Sequence, residues 1–258
     1  MLSVSSSLSN SIGVAPEFFE NYQLSLTNRN YGEATKIKTE VTQLIENNID
    51  TTAKDMVLFG TKLQKEKLFL ESILIFDAAS TLSKKIENPE EKLQMIKHCV
   101  QRMKKTNEAM IEEDADMKVI AKEYVIPLMR FKLRQMEKTP TVKEQYKCLE
   151  VSWVHHYIEK SQGRVDQLKE REQTQRKAIK IMDEGFGENK GKHRVYGTLL
   201  NNLGVVCHNT SRHDEAASFY RQSIDAKKAA ADYRDEEART RDIKLSVLNL
   251  RLAQQKIK

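Results

Sequence analysis

The stretch Thr198–Ile224, TLLNNLGVVCHNTSRHDEAASFYRQSI, decides the fold. Leu199, Leu200, Leu203 and Val206 recur at helical spacing and make one apolar stripe, and Ala216, Phe219, Tyr220 and Ile224 make a second. Asn209-Thr210-Ser211 separate them, with side chains that compete for backbone hydrogen bonds and so end a helix. Gly204 and Ala216 put small residues where the paired helices would touch, which lets their backbones approach. Such a hairpin cannot bury its own apolar face, so the pattern demands neighbours on both sides.

Working outward, residues 54–80 read KDMVLFGTKLQKEKLFLESILIFDAAS. Phe59-Gly60, Leu63, Ser72, Phe76 and Ala79 repeat the offsets of Leu203-Gly204, Cys207, Ala216, Tyr220 and Ser223. Two segments of one chain obeying the same spacing mark a repeat architecture, with the best units at 52–84 and 196–228.

The later segment resembles a tetratricopeptide repeat (TPR): Leu203-Gly204, the turn exit Asp214-Glu215-Ala216 and Tyr220 fall at that family's spacing. It departs at Cys207, where an aromatic is usual, and at Lys228, where the family often has proline. Near the start, NRNYGEA resembles the same turn through Tyr31 and Ala34, but Asn21-Tyr22 stands where Leu-Gly is expected. Residues 176–204 and 231–250 are similar to the junctions between repeats in kinesin light chains and in the Leu-Gly-Asn-repeat spindle-orientation adaptors. The resemblance implies an all-α, right-handed superhelix, a solenoid of five to six helical hairpins closed by a C-terminal capping helix. It implies a single helical-repeat domain over 15–258 after a Ser-rich tail over 1–14.

The remaining helices follow from local signals. Pro16 opens a helix bearing Phe18, Phe19, Tyr22 and Leu26. Thr52 or Asp55 caps the helix of the 52–84 repeat, and Asn88-Pro89-Glu90-Glu91 is a strong helix start. Met117 to Glu137 forms a helix that Pro127 should kink or split. Thr139-Pro140-Thr141 opens another, ending at Gln162-Gly163. A polar helix from Val165 to Met182 carries Glu172 and Gln175 on its seam. GFGENKGKHR is a connector, and a last helix from about Asp232 to Lys256 presents Ile243, Val247, Leu250 and Ile257.

Hydrophobic residues are 39% and charged residues 31%, which suits thin, well-solvated helical layers. Nine Gly and four Pro are few for an all-β chain. The 43 basic and 37 acidic side chains leave a mild excess of +6, interleaved rather than blocked, so nucleic acid is not a demanded partner. Three cysteines, Cys99, Cys148 and Cys207, lie far apart with no CxxC spacing, as expected of free core thiols in a reducing, cytoplasmic setting. No apolar run approaches the ~18 residues of a membrane span. The first thirteen residues carry no charge and lack the marks of a secretory or mitochondrial leader.

Few residues invite chemistry. His155, His156 and Glu159, with Cys148 on a nearby face, are the one candidate metal set, and no HExxH or paired-cysteine pattern supports it; one histidine beside Trp153 and the other in water is the plainer reading. GFGENKG lacks the Gly-Lys-Ser/Thr ending of a phosphate loop. No nucleophile is set beside a base, so neither catalysis nor a cofactor is expected. The basic runs Lys104-Lys105, Arg130-Lys132-Arg134 and Lys190-Lys192-Arg194 would carry the alternative of an RNA-binding repeat protein.

The resemblance points elsewhere, because in those families the first helix of each repeat lines a groove and the Asn before Leu-Gly grips a bound main chain. That assigns the groove to Asn202 with Asn201, Thr198, Val205 and His208, and by the shared offsets to Lys54, Val57, Leu58 and Thr61. An amide both donates and accepts, so Asn202 either reads a peptide backbone or bonds the preceding repeat and holds the stack. The expected function is a non-catalytic adaptor for a peptide or helix of another protein, cytoskeletal or signalling.

Overall fold

The computed structural model describes residues 14–47 and 52–257. Residues 1–13 of the expected tail lie outside the described residues, and Val14 is buried. All regular structure among the described residues is helical: α1 (Pro16–Thr27), α2 (Tyr31–Asn47), α3 (Ala53–Lys65), α4 (Phe69–Leu82), α5 (Pro89–Glu113), α6 (Met117–Ile120), α7 (Ile126–Lys138), α8 (Glu144–Arg164), α9 (Leu168–Phe186), α10 (Arg194–Asn209), α11 (His213–Ala229) and α12 (Glu236–Gln254). Consecutive helices pack as hairpins, the all-α solenoid class expected from the repeats. The chain divides into two compact units, one ending at Thr141 and one beginning at Val142.

Four hairpins share one turn. Arg29, Lys67, Asp166 and Ser211 sit at φ 58°, 62°, 59° and 60°, the left-handed region. The N–H of the following residue then reaches back along the first helix: Asn30 to the Ser25 carbonyl at 2.7 Å, Leu68 to Leu63 at 2.9 Å, Gln167 to Gln162 at 3.0 Å and Arg212 to Cys207 at 2.8 Å. This closes each first helix on a carbonyl that would otherwise lack a partner. The same residue's carbonyl starts the second helix by accepting from Ala34, Ser72, Arg171 or Ala216.

In the first unit, α4 is buried all round from Leu70 to Ser80, its polar Glu71, Ser72, Asp77 and Ser80 included, so neighbours cover every side. Gly60 of α3 lies against Phe76 of α4, where an added Cβ would come within 2.7 Å of the ring. Asp77 forms a buried ion pair with Lys132 of α7 at 2.7 Å. Lys132 is therefore not on a solvated basic face: beside Asp77 its charge is neutralised in the interior. The hairpin of α5 with α6 and α7 lacks the left-handed turn. Asn88 caps α5 by accepting from Glu90 and Glu91, and Thr52 and Asp55 cap α3 reciprocally. Pro127 acts as expected: Ala121–Val125 widens into a π turn just before it, because a proline nitrogen has no hydrogen to continue the ladder.

In the second unit, α8 to α12 stack in sequence, with α10 and α11 the most closely paired. Gly204 meets Tyr220 as Gly60 meets Phe76, with the added Cβ again 2.7 Å from the ring. Two seams differ from expectation. On α9 the buried line is Arg171, Gln175, Ala178 and Met182, while Glu172 turns outward to accept from Arg212, just before α11, at 2.5 Å. On α12 the buried line is Ala238, Ser246 and Ala253; Ile243, Val247 and Leu250 are half-covered and Ile257 is exposed. In each case the polar residues that bond to neighbours, rather than the largest apolar ones, set the helix rotation.

Candidate functional site

Three first helices of the second unit, α8, α10 and α12, are joined through side chains. Asn202 of α10 donates its amide hydrogens to Glu159 Oε2 of α8 at 3.1 Å and toward His156 Nδ1 at 3.0 Å. Asn201 faces the other way: its Oδ1 accepts from Ser246 Oγ at 2.9 Å and Asn249 Nδ2 at 3.2 Å, both on α12. The two neighbouring amides touch at 3.5 Å. Both asparagines are buried, as is Glu159, which also pairs with Arg171 of α9. The amides thus hold the stack, each with partners in the interior, which is what burial of such groups requires.

Lys227 of α11 extends the network. Its ammonium, nearly fully buried, donates to Ser246 Oγ at 2.7 Å and the Asp242 carbonyl at 3.0 Å. Burial disfavours its charge and lowers its pKa to about 8; Asp242 opposes the fall and Arg194 adds to it. Its stem lies over Gly197, where a Cβ would meet Cγ at 2.7 Å. Asp242 in turn accepts from Arg194 Nε at 3.2 Å and Tyr233 OH at 3.3 Å, fixing the entry to α12.

Beside the buried amides, Thr198, Val205 and His208 are half-exposed on α10. Thr198 donates to the Arg194 carbonyl, Val205 lies at the edge of the Leu203–Tyr220 core, and His208 packs against the His213 ring at 5.0 Å. In the first unit, Lys54 and Leu58 are exposed on α3, Val57 is buried, and Thr61 is half-exposed and donates to the Val57 carbonyl at 2.7 Å. Matching positions therefore differ in environment: Leu58 is open where Asn202 is covered by α8.

The histidines behave differently from expectation. His156 packs edge-on to Trp153 at 5.7 Å, but His155 is buried rather than in water. Glu159 is committed to Arg171 and Asn202, and among the described residues no three His, Cys, Asp or Glu side chains converge as metal ligands. Burial raises the Cys99 thiol to about 12 and Cys207 to about 11, which leaves both as protonated core residues at neutral pH.

Sequence reasoning named Glu159 only as a candidate metal ligand and missed Arg171, Lys227, Ser246 and Asn249. A signal for the Glu159–Arg171 pair was present. Glu159 and Arg171 stand as far from Asp166 as Gly204 and Ala216 stand from Ser211, so the hairpin register could have found them had the turn itself been recognised.

No family model matches the chain, and no curated protein matches it. Among solved structures it is similar to the crystal structure of BtubC (BKLC) from P. vanneervenii, at 10% identity and a TM-score of 0.53, over 98% of this chain and 85% of that one. The likeness supports a TPR-like helical-repeat fold.

Proposed function

We propose that the chain is a non-catalytic adaptor that holds a peptide or helix of another protein along its first helices. The observation that carries this reading is the amide-bonded stack of α8, α10 and α12, which leaves Thr198, Val205 and His208 partly open on one helix face. A stack fixed by interior bonds presents such a face in one geometry, and preorganisation of that kind favours binding. Asn201 and Asn202 position the wall; the half-exposed residues touch the guest. The resemblance to kinesin light chains and Leu-Gly-Asn adaptors supports a cytoskeletal or signalling partner in the cytoplasm. Among the described residues no helix is long and apolar enough to cross a membrane.

The basic runs give the RNA alternative little support. Lys132 is buried on Asp77, Lys104 pairs with Glu108 at 2.5 Å and Lys190 with Asp183 at 2.6 Å.

The test is affinity capture from nuclease-treated cell extract with wild type, Thr198→Arg, His208→Glu and Asn202→Ala. The two wall variants should lose partners while melting as wild type does. Asn202→Ala should lower the melting temperature, because it leaves Glu159 short of a donor in the interior. Full recovery of every partner by both wall variants would refute this assignment.

A further inference from the structure

The C-terminal helix carries a surface that the stack does not use. Leu245, Leu248 and Leu252 of α12 are 51%, 53% and 46% exposed, far more than leucines in a packed helix allow. They fall at i, i+3 and i+7, on one face.

That face has a defined place in the fold. Asn202 and Asn249 do the same job, each donating to the preceding first helix. Aligning α10 and α12 on them places Leu245, Leu248, Leu252 and Gln255 on the positions of Thr198, Asn201, Val205 and His208. Of these α10 positions, Asn201 is the one that bonds the successor helix, through Ser246 and Asn249. At the acceptor position, where α10 carries Asn201, α12 carries Leu248. Leu248 offers no acceptor, so the face presented at this register is apolar.

Charge selects among apolar occupants. Arg241, Lys244 and Arg251 are exposed on α12 around the leucines, with Lys256 exposed just beyond it, and Glu237 is the one acid exposed near them on that helix beyond its first residue. Asp242 is half-covered and held by Arg194 and Tyr233. Two copies pairing through this face would bring like charges together, whereas acidic flanks on a partner would be complementary.

We propose that the Leu245–Leu248–Leu252 face of α12 docks an amphipathic helix from a partner protein, with apolar side chains at matching spacing and acidic residues on both flanks. This rests on the adaptor reading and gives it a second surface, separate from Thr198 and His208.

The experiment measures fluorescence anisotropy of labelled peptides of roughly 20 residues, long enough to hold a helix once bound. One peptide has leucines at i, i+3 and i+7 flanked by glutamate; the other has the same leucines flanked by lysine. With the full chain, the glutamate peptide should bind, weaken as salt rises, and outcompete the lysine peptide. Leu248→Asp should weaken it by about tenfold or more, as loss of a central anchor does. The combined Arg241→Glu, Lys244→Glu and Arg251→Glu variant should reverse the preference, which holds the test open even if Leu248→Asp unfolds. Thr198→Arg should leave this binding intact, which separates the present claim from the α10 wall. Equal binding of the two peptides, or no loss in Leu248→Asp, would overturn the proposal. So would a dimer in sedimentation that Leu248→Asp dissolves, because the occupant would then be a second copy.

Discussion

The α8–α9 and α10–α11 hairpins share a turn and differ at the crossing behind it. Asp166 and Ser211 take the same left-handed conformation, and the same reach-back bond closes both first helices. Seven residues before the turn stands Gly204 in one hairpin and Glu159 in the other; five after it, Ala216 and Arg171; nine after it, Tyr220 and Gln175. One crossing is a glycine under an aromatic ring. The other is a buried ion pair beside a buried amide. The hairpin is thus set by the turn and the stacking, and the small-residue signature marks one way of filling it. The charged filling has a use: Glu159 supplies the acceptor that Asn202 of the next repeat needs.

The sharpest way to break this equivalence is to remove one charge. Arg171→Ala leaves Glu159 buried beside a lost partner and should cost about 3–5 kcal/mol in chemical denaturation. Installing the other filling whole, with Glu159→Gly, Arg171→Ala and Gln175→Tyr together, should recover part of that loss: a packed apolar crossing replaces a buried pair at little net cost, while the Asn202 amide gives up its carboxylate acceptor. If the triple variant is no more stable than Arg171→Ala, the two crossings are not interchangeable.

The same two hairpins mark how far a sequence can be read. Gly60–Phe76 and Gly204–Tyr220 were legible because a small residue held at a fixed offset from an aromatic is what a close helix crossing requires. The helix starts at Thr52 and Asn88 and the break at Pro127 were legible from local chemistry, since caps and prolines act on their own backbone. The hairpin at Glu159 was not legible as a repeat. Its turn residue is Asp166 rather than glycine, and its crossing reads as ordinary surface charge until burial is known. Lys132 and Lys227 were hidden for the same reason: a lysine's place depends on which helix covers it. Asn202 was singled out as a residue needing partners, but the ones it takes were hidden, because they lie on α8, far back along the chain.

A second contrast lies within the α10–α11 hairpin, dry at Gly204 and charged at Gly197. Lys227, with its pKa lowered to about 8 from 10.5, binds fewer protons when folded than unfolded across that interval. Its contribution to stability is therefore present in full only above about 10.5 and is lost as pH falls through about 8. Relative to Lys227→Met, wild type should gain on the order of 1 kcal/mol per pH unit above pH 8. Urea midpoints of both proteins between about pH 7 and 9.5 check this, below the range where tyrosines ordinarily titrate. A constant difference would mean that Lys227 stays hydrated.

The dry end makes a smaller prediction. Gly204→Ala puts a methyl 2.7 Å from the Tyr220 ring and should cost about 1–3 kcal/mol as an overpacked crossing. Gly191→Ala, with nothing within 4 Å, should be near neutral and serves as the control. Equal midpoints for the two variants would show that the helices separate freely at Gly204.

The smallest effect tests the shared turn. Ser211 holds φ 60° with an exposed side chain, and a Cβ in that region carries a steric penalty that glycine lacks. Ser211→Gly should therefore stabilise the chain by about 0.5–1 kcal/mol, the relief at the turn exceeding the added freedom of the unfolded glycine. The same change at Asn209, the last residue of α10, should destabilise, since glycine is a poor helix former. Opposite signs two positions apart in thermal unfolding would tie the hairpin to its left-handed residue. A matching gain from Lys67→Gly in the other unit would show that both units are built on one turn, whatever fills the crossing behind it.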